Sequence, residues 1–269
     1  LMNEDAFYER LKEGFNDIFL TDGYEGNGES ILSYDHFNET RHWYRKHDFS
    51  HIDGKKKRQE ALWDMARVYR ESIRAEPLEL IAHVVRNNRP FTEIMTADYM
   101  MVSPYSARGY GIYQQVEEQF KDPDNPFEYV AARLPALKNR QGKVQESGTG
   151  DYPHAGLLSM FHYLRRYPTT ETNRNRLRAR MYYQHFLGID VMELADQVAD
   201  AATIDARYET PWMEAADCVV CHRTIDPVAG LFQDFYNEEG HFSPRKEGWF
   251  KDMFAPGLEG EDLPEEEKW

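Results

Sequence analysis

The spacing of the apolar residues constrains the fold of this chain more than any other feature of its sequence. Between Lys57 and Ala75 they recur three or four positions apart, which is the period of a helix with one buried face. Similar stripes follow Pro77 and Pro90, and because proline is favoured in the first turn we expect a new helix to begin at each. No run shows the alternation that a half-buried strand requires. The sequence therefore predicts a mainly α fold.

A polar, glycine-rich segment lies near the middle of the chain, at residues 139–153. It is consistent with a helical N-terminal region over residues 1–150 followed by a second helical region over residues 151–269, and equally with a single domain. A surface loop within one domain is the alternative, since long polar connections occur in both settings.

Charge and hydropathy exclude two classes of protein. The chain carries 47 acidic and 32 basic side chains, a formal net charge of −15, which is the wrong sign for a protein that binds the phosphate backbone of nucleic acids. No stretch approaches the length of apolar sequence that crosses a bilayer. We therefore expect neither a nucleic-acid partner nor a membrane span in this chain.

The chain has only two cysteines, Cys218 and Cys221, and His222 follows them directly. Two thiols at this spacing on a helix can both add to the vinyl groups of one porphyrin, and the next imidazole can then bind the iron. The pattern favours one covalently attached haem c, held by Cys218 and Cys221, with His222 as the proximal iron ligand.

Three other interpretations compete. A thioredoxin-like redox pair has the same cysteine spacing, but it belongs in a βαβ unit that the sequence does not indicate. A structural zinc site needs two further ligands, and no other cysteine is present to supply them. A chance pair of buried cysteines leaves the adjacent histidine unexplained.

The neighbouring residues predict helices around the motif. Thr210-Pro211 and Asp226-Pro227 each combine an N-cap residue with a following proline. We expect one helix up to Cys221 and a second that Asp226 caps. The second helix carries apolar residues that form either one wall of a haem pocket or ordinary core: Val228, Leu231, Phe232 and Phe235.

The segment from Cys218 to Phe235 reads CVVCHRTIDPVAGLFQDF and resembles the haem segment of the planctomycete-type cytochrome c family. In that family the haem motif is followed by Asp-Pro and an aromatic-rich helix. The helical domains that precede it are similar to two further stretches of this chain: Arg89–Tyr99 with Tyr110-Gly111, and Gly156–Leu158 with Arg178–Gly188. The resemblance extends roughly from Glu76 to Pro264, and it implies haem c and export but no reaction.

A short stretch and a single residue depart from the family. Residues 174–179 stand where a Ser-Pro-Val-x-Arg-Gly run is expected, and Tyr236 replaces an aspartate. The arginines of the first stretch alternate along a predicted helix over Thr172–Leu187, with Gly188 ending it. Because a two-residue spacing scatters side chains around a helix, we expect solvated arginines paired with carboxylates, or one that reaches a haem propionate.

The sixth iron ligand has several candidates. Met213 would lie on the same side as His222, whereas Met253 follows on a Pro/Gly-terminated segment that can reach the opposite face. We favour Met253. A histidine is the next choice, and an open position the third; the candidate histidines are His241, His154, His162 and His185.

The motif predicts a monohaem c-type cytochrome that transfers single electrons to other redox proteins or subunits of a larger complex. The lack of further thiols suits an oxidising compartment, so we expect the protein to be exported, to the periplasm or its equivalent, with the signal upstream. One alternative is a peroxidase-like haem oxidoreductase with an open distal site. Another is a docking or scaffold subunit with an accessory haem, which would account for the large helical N-terminal region.

Overall fold

The structure is a computed structural model of the chain, and it describes residues 4–22, 32, 34–138, 141–145, 147–170, 173–194, 215–232 and 235. These residues form two compact units, the first ending at Arg166 and the second beginning at Tyr167. The described part of the chain is mainly helical with few strands, which confirms the predicted class. The domain boundary after residue 150 stays a prediction.

The first unit is organised around one long helix, α2. Its helices are α1 (Asp5–Phe19), α2 (Lys55–Arg86), α3 (Glu93–Thr96), α4 (Pro104–Tyr110), α5 (Tyr113–Val116) and α6 (Phe161–Arg166). Short 3₁₀ turns lie at Asp35–Phe37, Trp43–Lys46 and Glu117–Gln119. Two strands, β1 (Met100–Val102) and β2 (Val130–Ala132), pair antiparallel with Met101 opposite Ala131. Helix α2 contacts α1, α3, α4, α6 and β1, so its buried face forms the centre of the unit.

The prediction of a helix start at Pro77 is wrong, because α2 runs through this residue. Proline has no N–H to donate to the carbonyl four residues back, so α2 lacks one hydrogen bond here. The carbonyl left without its donor is that of Ile73. Ile73 and Pro77 are both buried against the rest of the unit, and the Tyr129 hydroxyl donates to the neighbouring Ser72 carbonyl at 2.8 Å. The helix expected at Pro90 begins instead at Glu93.

Aromatic side chains fill the core of the first unit. The ring of Phe161 lies 5.1 Å from Tyr152, 5.5 Å from Phe37 and 5.6 Å from Tyr110, measured between centroids. All four side chains are at most 3% exposed. Ring pairs at these separations add a modest attraction to the free energy of burying the rings themselves.

Gly156 allows two backbone segments of the first unit to approach closely. Its φ is +51°, and a Cβ built there would lie 2.3 Å from the Ile94 carbonyl oxygen. The Gly156 N–H donates to the Ala97 carbonyl at 2.9 Å, and this hydrogen bond holds the two segments together. Gly150 also has positive φ, +82°, but no atom lies near its Cβ position.

We expect Gly156→Ala to lower the free energy of unfolding by about 3 kcal/mol or more, since it combines left-handed strain with overpacking against backbone. Gly150→Ala adds the strain alone and should cost only about 1–2 kcal/mol. Urea unfolding of the two variants measures the difference. Equal losses would show that the backbone at Gly156 moves aside.

The second unit contains two packed helices. Helix α7 (Arg176–Tyr182) continues into a π-helical turn, Tyr183–Leu187, and Gly188 ends it with a φ of +67°. The helix thus starts later than predicted and ends as predicted. A 3₁₀ turn at Val191–Leu194 precedes α8 (Ala216–Leu231). The two helices meet at a cluster of buried apolar residues: Ala179, Val191, Ile225 and Ala229.

Candidate functional site

Helix α8 carries every predicted attachment residue. It spans Ala216–Leu231 with Pro227 inside it, so the prediction that Asp226 caps a second helix is wrong. Pro227 and Arg223 are both exposed, and water can therefore bond to the Arg223 carbonyl that Pro227 leaves without a donor. The other predicted cap, at Thr210-Pro211, lies outside the described residues.

The attachment residues share one side of α8. Cys218, His222 and Asp226 follow one another at intervals of four residues, and Cys221 lies beside them three residues after Cys218, so all four side chains are neighbours on the helix surface. Cys218, Cys221 and His222 are each partly buried. The helix therefore presents two thiols and one imidazole together at a surface that solvent and a ligand can reach.

Cys221 is held by the turn before α8. Its thiol donates to the Val191 carbonyl at 3.3 Å, and it packs against the apolar cluster between the helices. Burial, and secondarily the charge of Asp190, raises the pKa of the Cys221 thiol. In a thioredoxin-like pair the reactive thiolate is that of the first cysteine, so the shift at Cys221 does not bear on that interpretation. The described residues contain only the antiparallel pair β1–β2 and no βαβ unit, which a thioredoxin-like pair requires.

His222 is oriented by a buried carboxylate. Its Nδ1 lies 3.1 Å from Oδ2 of Asp226. Burial alone would raise the pKa of Asp226, but hydrogen bonds from His222 and Arg176 lower it on balance. The carboxylate is therefore ionised and can only accept, so the hydrogen lies on Nδ1 of His222. In the neutral form of the ring Nε2 carries the lone pair, and Nε2 has no hydrogen-bond partner in the part of the chain that the structure describes.

Asp226 is held in turn by helix α7. Arg176 donates from Nε to Oδ1 at 2.7 Å and from Nη2 to Oδ2 at 3.0 Å, the two-pronged geometry that arginine makes with carboxylates. Asp226 is 2% exposed. The chain Arg176–Asp226–His222 thus links the two helices, and sequence analysis missed it. The four-residue spacing of His222 and Asp226 was the one available signal.

The other arginines of α7 have different surroundings. Arg180 pairs with Asp190 through contacts of 2.9 and 2.6 Å, as expected for an arginine near a carboxylate. Arg178 is 3% exposed and donates to the carbonyls of Tyr167 and Phe235 and to the Asn175 amide oxygen. The expectation of a solvated helix is therefore wrong at Arg178, because this side chain is buried and donates to main-chain carbonyls of the second unit.

Exposed apolar side chains are frequent in the second unit. Six large ones are between 40% and 59% exposed: Leu187, Ile189, Met192, Leu194, Val220 and Leu231. Four of them lie within the stretch 187–194, whose Val191 contacts Cys221. Exposed apolar groups of this kind favour contact with an apolar ligand or partner. Of the predicted wall residues, Phe232 and Phe235 are buried, Val228 packs on the cluster, and Leu231 is exposed.

The donor set fits haem c. The two cysteines form no disulfide and lie on one side of a helix. Nε2 of His222 is the nitrogen that binds iron when Nδ1 is hydrogen-bonded, and apolar side chains lie nearby. Within the described ranges, no group of three His, Cys, Asp or Glu side chains comes together in a way that could hold a metal ion.

The candidates for the sixth ligand receive no assignment. Met253, His241 and Met213 lie outside the described residues. His154 and His162 belong to the first unit, where burial lowers the pKa of each to about 4. The Leu134 N–H donates to Nε2 of His154 at 3.0 Å, and Nε2 of His162 bonds to the Thr21 carbonyl at 2.6 Å. His185 contacts the ring of Tyr167. Met253 as distal ligand stays a prediction.

Comparison with known proteins adds one match. The family described as "PSD4: Protein of unknown function (DUF1592)" matches residues 34–112, within the first unit. This domain is found in planctomycete cytochrome c-type proteins, and the matched residues include the Arg89–Tyr99 stretch on which the resemblance partly rests. The segment from Cys218 to Phe235 lies outside the match. Neither the curated proteins nor the solved structures contain a match to this chain.

No helix among the described residues has both the length and the apolar character needed to cross a membrane.

Proposed function

We propose that the chain is an exported monohaem c-type cytochrome that transfers single electrons as a subunit or partner of a larger redox complex. The observation that carries this proposal is the arrangement on α8, where Cys218 and Cys221 lie beside an imidazole whose Nδ1 is already bonded to Asp226. A histidine held in this way offers Nε2 to a metal. The absence of other cysteines from the sequence suits an oxidising compartment.

Each residue has a distinct part. Cys218 and Cys221 anchor the porphyrin through thioethers, and His222 supplies the proximal nitrogen to the iron, which provides a one-electron redox couple when the group is bound. Asp226 fixes the ring plane of His222 and makes its Nε2 a stronger donor, while Arg176 keeps Asp226 ionised and in place. A stronger proximal donor favours the oxidised iron, so the reduction potential should be low for its ligand set.

The same hydrogen bond favours a second candidate, a peroxidase-like haem oxidoreductase. His222, made a stronger donor by Asp226, would also suit a haem that reacts with peroxide. Carbon monoxide distinguishes the two functions, because it binds reduced iron only at an open or readily vacated position. An unchanged reduced spectrum supports the electron carrier, and a prompt shift supports the oxidoreductase.

Covalent attachment is tested by producing the chain with an export signal in a host that matures c-type cytochromes. We expect a haem-stained band that survives denaturing electrophoresis, and its complete loss when Cys218→Ala and Cys221→Ala are combined, since no other thiol can form a thioether.

Val220→Ala is the matched control for this experiment. Val220 lies between the two cysteines and is 46% exposed, so the variant should keep its haem stain. A stained band in the double cysteine variant, or none in the parent chain, would overturn the proposed function.

A further inference from the structure

The first unit contains a pocket of about 240 Å³. Its lining residues are Trp43, Lys46, His47, Met65, Tyr105, Arg108 and Asp124. All of them except Asp124 belong to the segment that matches the family of unknown function. The proposed haem site lies in the other unit, so the pocket needs an explanation of its own.

Arg108 is held in this pocket by aromatic rings and main-chain carbonyls. Its guanidinium lies 4.1 Å from the ring centroid of Tyr113, 5.3 Å from that of Trp43 and 5.8 Å from that of Tyr105. Nη1 donates to the carbonyls of Pro104 and Pro123, both at 3.3 Å, and Nη2 donates to the Pro123 carbonyl at 3.2 Å. Rings and carbonyls therefore fix the position of the charge without neutralising it.

Two N–H donors of Arg108 remain, one on Nε and one on Nη2. Neither has an acceptor in the described part of the chain, and no carboxylate there pairs with Arg108. Elsewhere in the chain Nε and Nη2 of an arginine together bind one carboxylate, as Arg176 binds Asp226 and Arg180 binds Asp190. Arg108 offers the same pair of donors, and no carboxylate of the described residues occupies it.

The rest of the lining is rich in donors. Among the described residues, the ammonium of Lys46 donates to the Glu39 carbonyl at 3.3 Å and to no carboxylate. Burial raises the pKa of Tyr105, so its phenol is neutral and can donate. Asp124 is the one acidic side chain of the lining, and it forms no ion pair with Arg108 or Lys46. The pocket thus carries a local excess of positive charge on a chain whose net charge is −15.

We propose that this pocket binds a small organic anion with one carboxylate and a ring-shaped body. The carboxylate bonds to Nε and Nη2 of Arg108, with Lys46 and the Tyr105 hydroxyl nearby, and the ring lies against Trp43 and Met65. The volume of about 240 Å³ equals that of roughly eight liquid waters, which suits a ligand of about ten non-hydrogen atoms. This binding activity goes beyond the proposed electron transfer and does not depend on it.

Calorimetric titration of the full chain tests the proposal with benzoate as the probe, acetate as an anion without a ring, and benzyl alcohol as a ring without charge. We expect saturable binding of benzoate, with acetate and benzyl alcohol weaker by about tenfold or more, because each lacks one of the two contacts. Saturable binding of benzyl alcohol equal to that of benzoate would overturn the proposal, and so would no binding of benzoate.

Two variants locate the site. Arg108→Gln should weaken benzoate binding by about tenfold or more, and Lys46→Gln, at an exposed position where the fold is not at risk, should weaken it severalfold. Arg133→Gln is the control, since this exposed arginine pairs with Asp98 and does not line the pocket. Unchanged affinity in both Lys46→Gln and Arg108→Gln would place the binding elsewhere and overturn the assignment.

Discussion

Glu76→Gln should stabilise the folded chain by about 3 kcal/mol at pH 7 and by almost nothing near pH 4. Glu76 is 1% exposed on α2. The Tyr110 hydroxyl donates to its Oε2 at 2.6 Å, and Oε1 has no hydrogen-bond partner among the described residues. Burial raises the pKa of Glu76 from 4.5 to about 8, so the folded chain holds a proton here at neutral pH.

The direction of the pH dependence follows from that shift. The folded pKa lies above the unfolded value, so the folded state binds more protons between about pH 4.5 and pH 8. The contribution of Glu76 to stability is therefore complete below pH 4.5 and is lost as the pH rises through 8. Glutamine does not ionise, and the variant avoids this loss. At pH 7, about 2.5 pH units above the unfolded pKa, the parent chain has lost about 1.36 kcal/mol of stability for each unit relative to the glutamine variant.

Urea unfolding of both chains from pH 4.5 to pH 9 measures the effect. The two stability curves should separate as the pH rises, and parallel curves would show that Glu76 is already ionised in the fold. Glu79→Gln is the control on the same helix. It removes an ion pair with Lys12 at 2.7 Å, so it should destabilise the chain at neutral pH and change stability in the opposite direction.

The helical class of the chain followed from residue spacing, but the helix boundaries at proline did not. Pro77 and Pro227 both lie inside helices, although each resembles a helix start. What the local sequence shows is that a proline inside a helix removes one main-chain hydrogen bond, which costs free energy wherever it occurs. Whether the helix continues through the proline depends also on contacts with residues far away in sequence. One example is the hydrogen bond from the Tyr129 hydroxyl to the turn before Pro77, which a local sequence pattern cannot reveal.

In the candidate site, too, the sequence predicted the local arrangement but not the contact between distant residues. Cys218, Cys221 and His222 are adjacent in sequence, so their grouping on one helix was predictable. Arg176 lies 50 residues from Asp226, and only the packing of α7 against α8 brings them together. The sequence could therefore suggest a cap at Asp226 but could not reveal the buried ion pair.

Asp226→Ala should lower the free energy of unfolding by about 3–5 kcal/mol, because it leaves the partly buried guanidinium of Arg176 without its carboxylate. A lost N-cap would cost only about 1 kcal/mol, so the size of the loss separates the two roles. Asp190→Ala is the control. It removes a similar two-pronged pair with Arg180, but the side chains there are 24% and 37% exposed, and the loss should be about 1 kcal/mol or less.

Two further measurements identify the cause of the loss. In a double-mutant cycle, Asp226→Ala combined with Arg176→Ala should cost clearly less than the sum of the single changes, because each single change already removes the interaction between the two side chains. The pKa of Asp226 is lowered from 3.8, so the stability it contributes is present above that pH and is lost as the pH falls below it. The parent chain and Asp226→Ala should therefore converge in acid. Additive losses, or a gap that persists in acid, would contradict the ion pair as the link between α7 and α8.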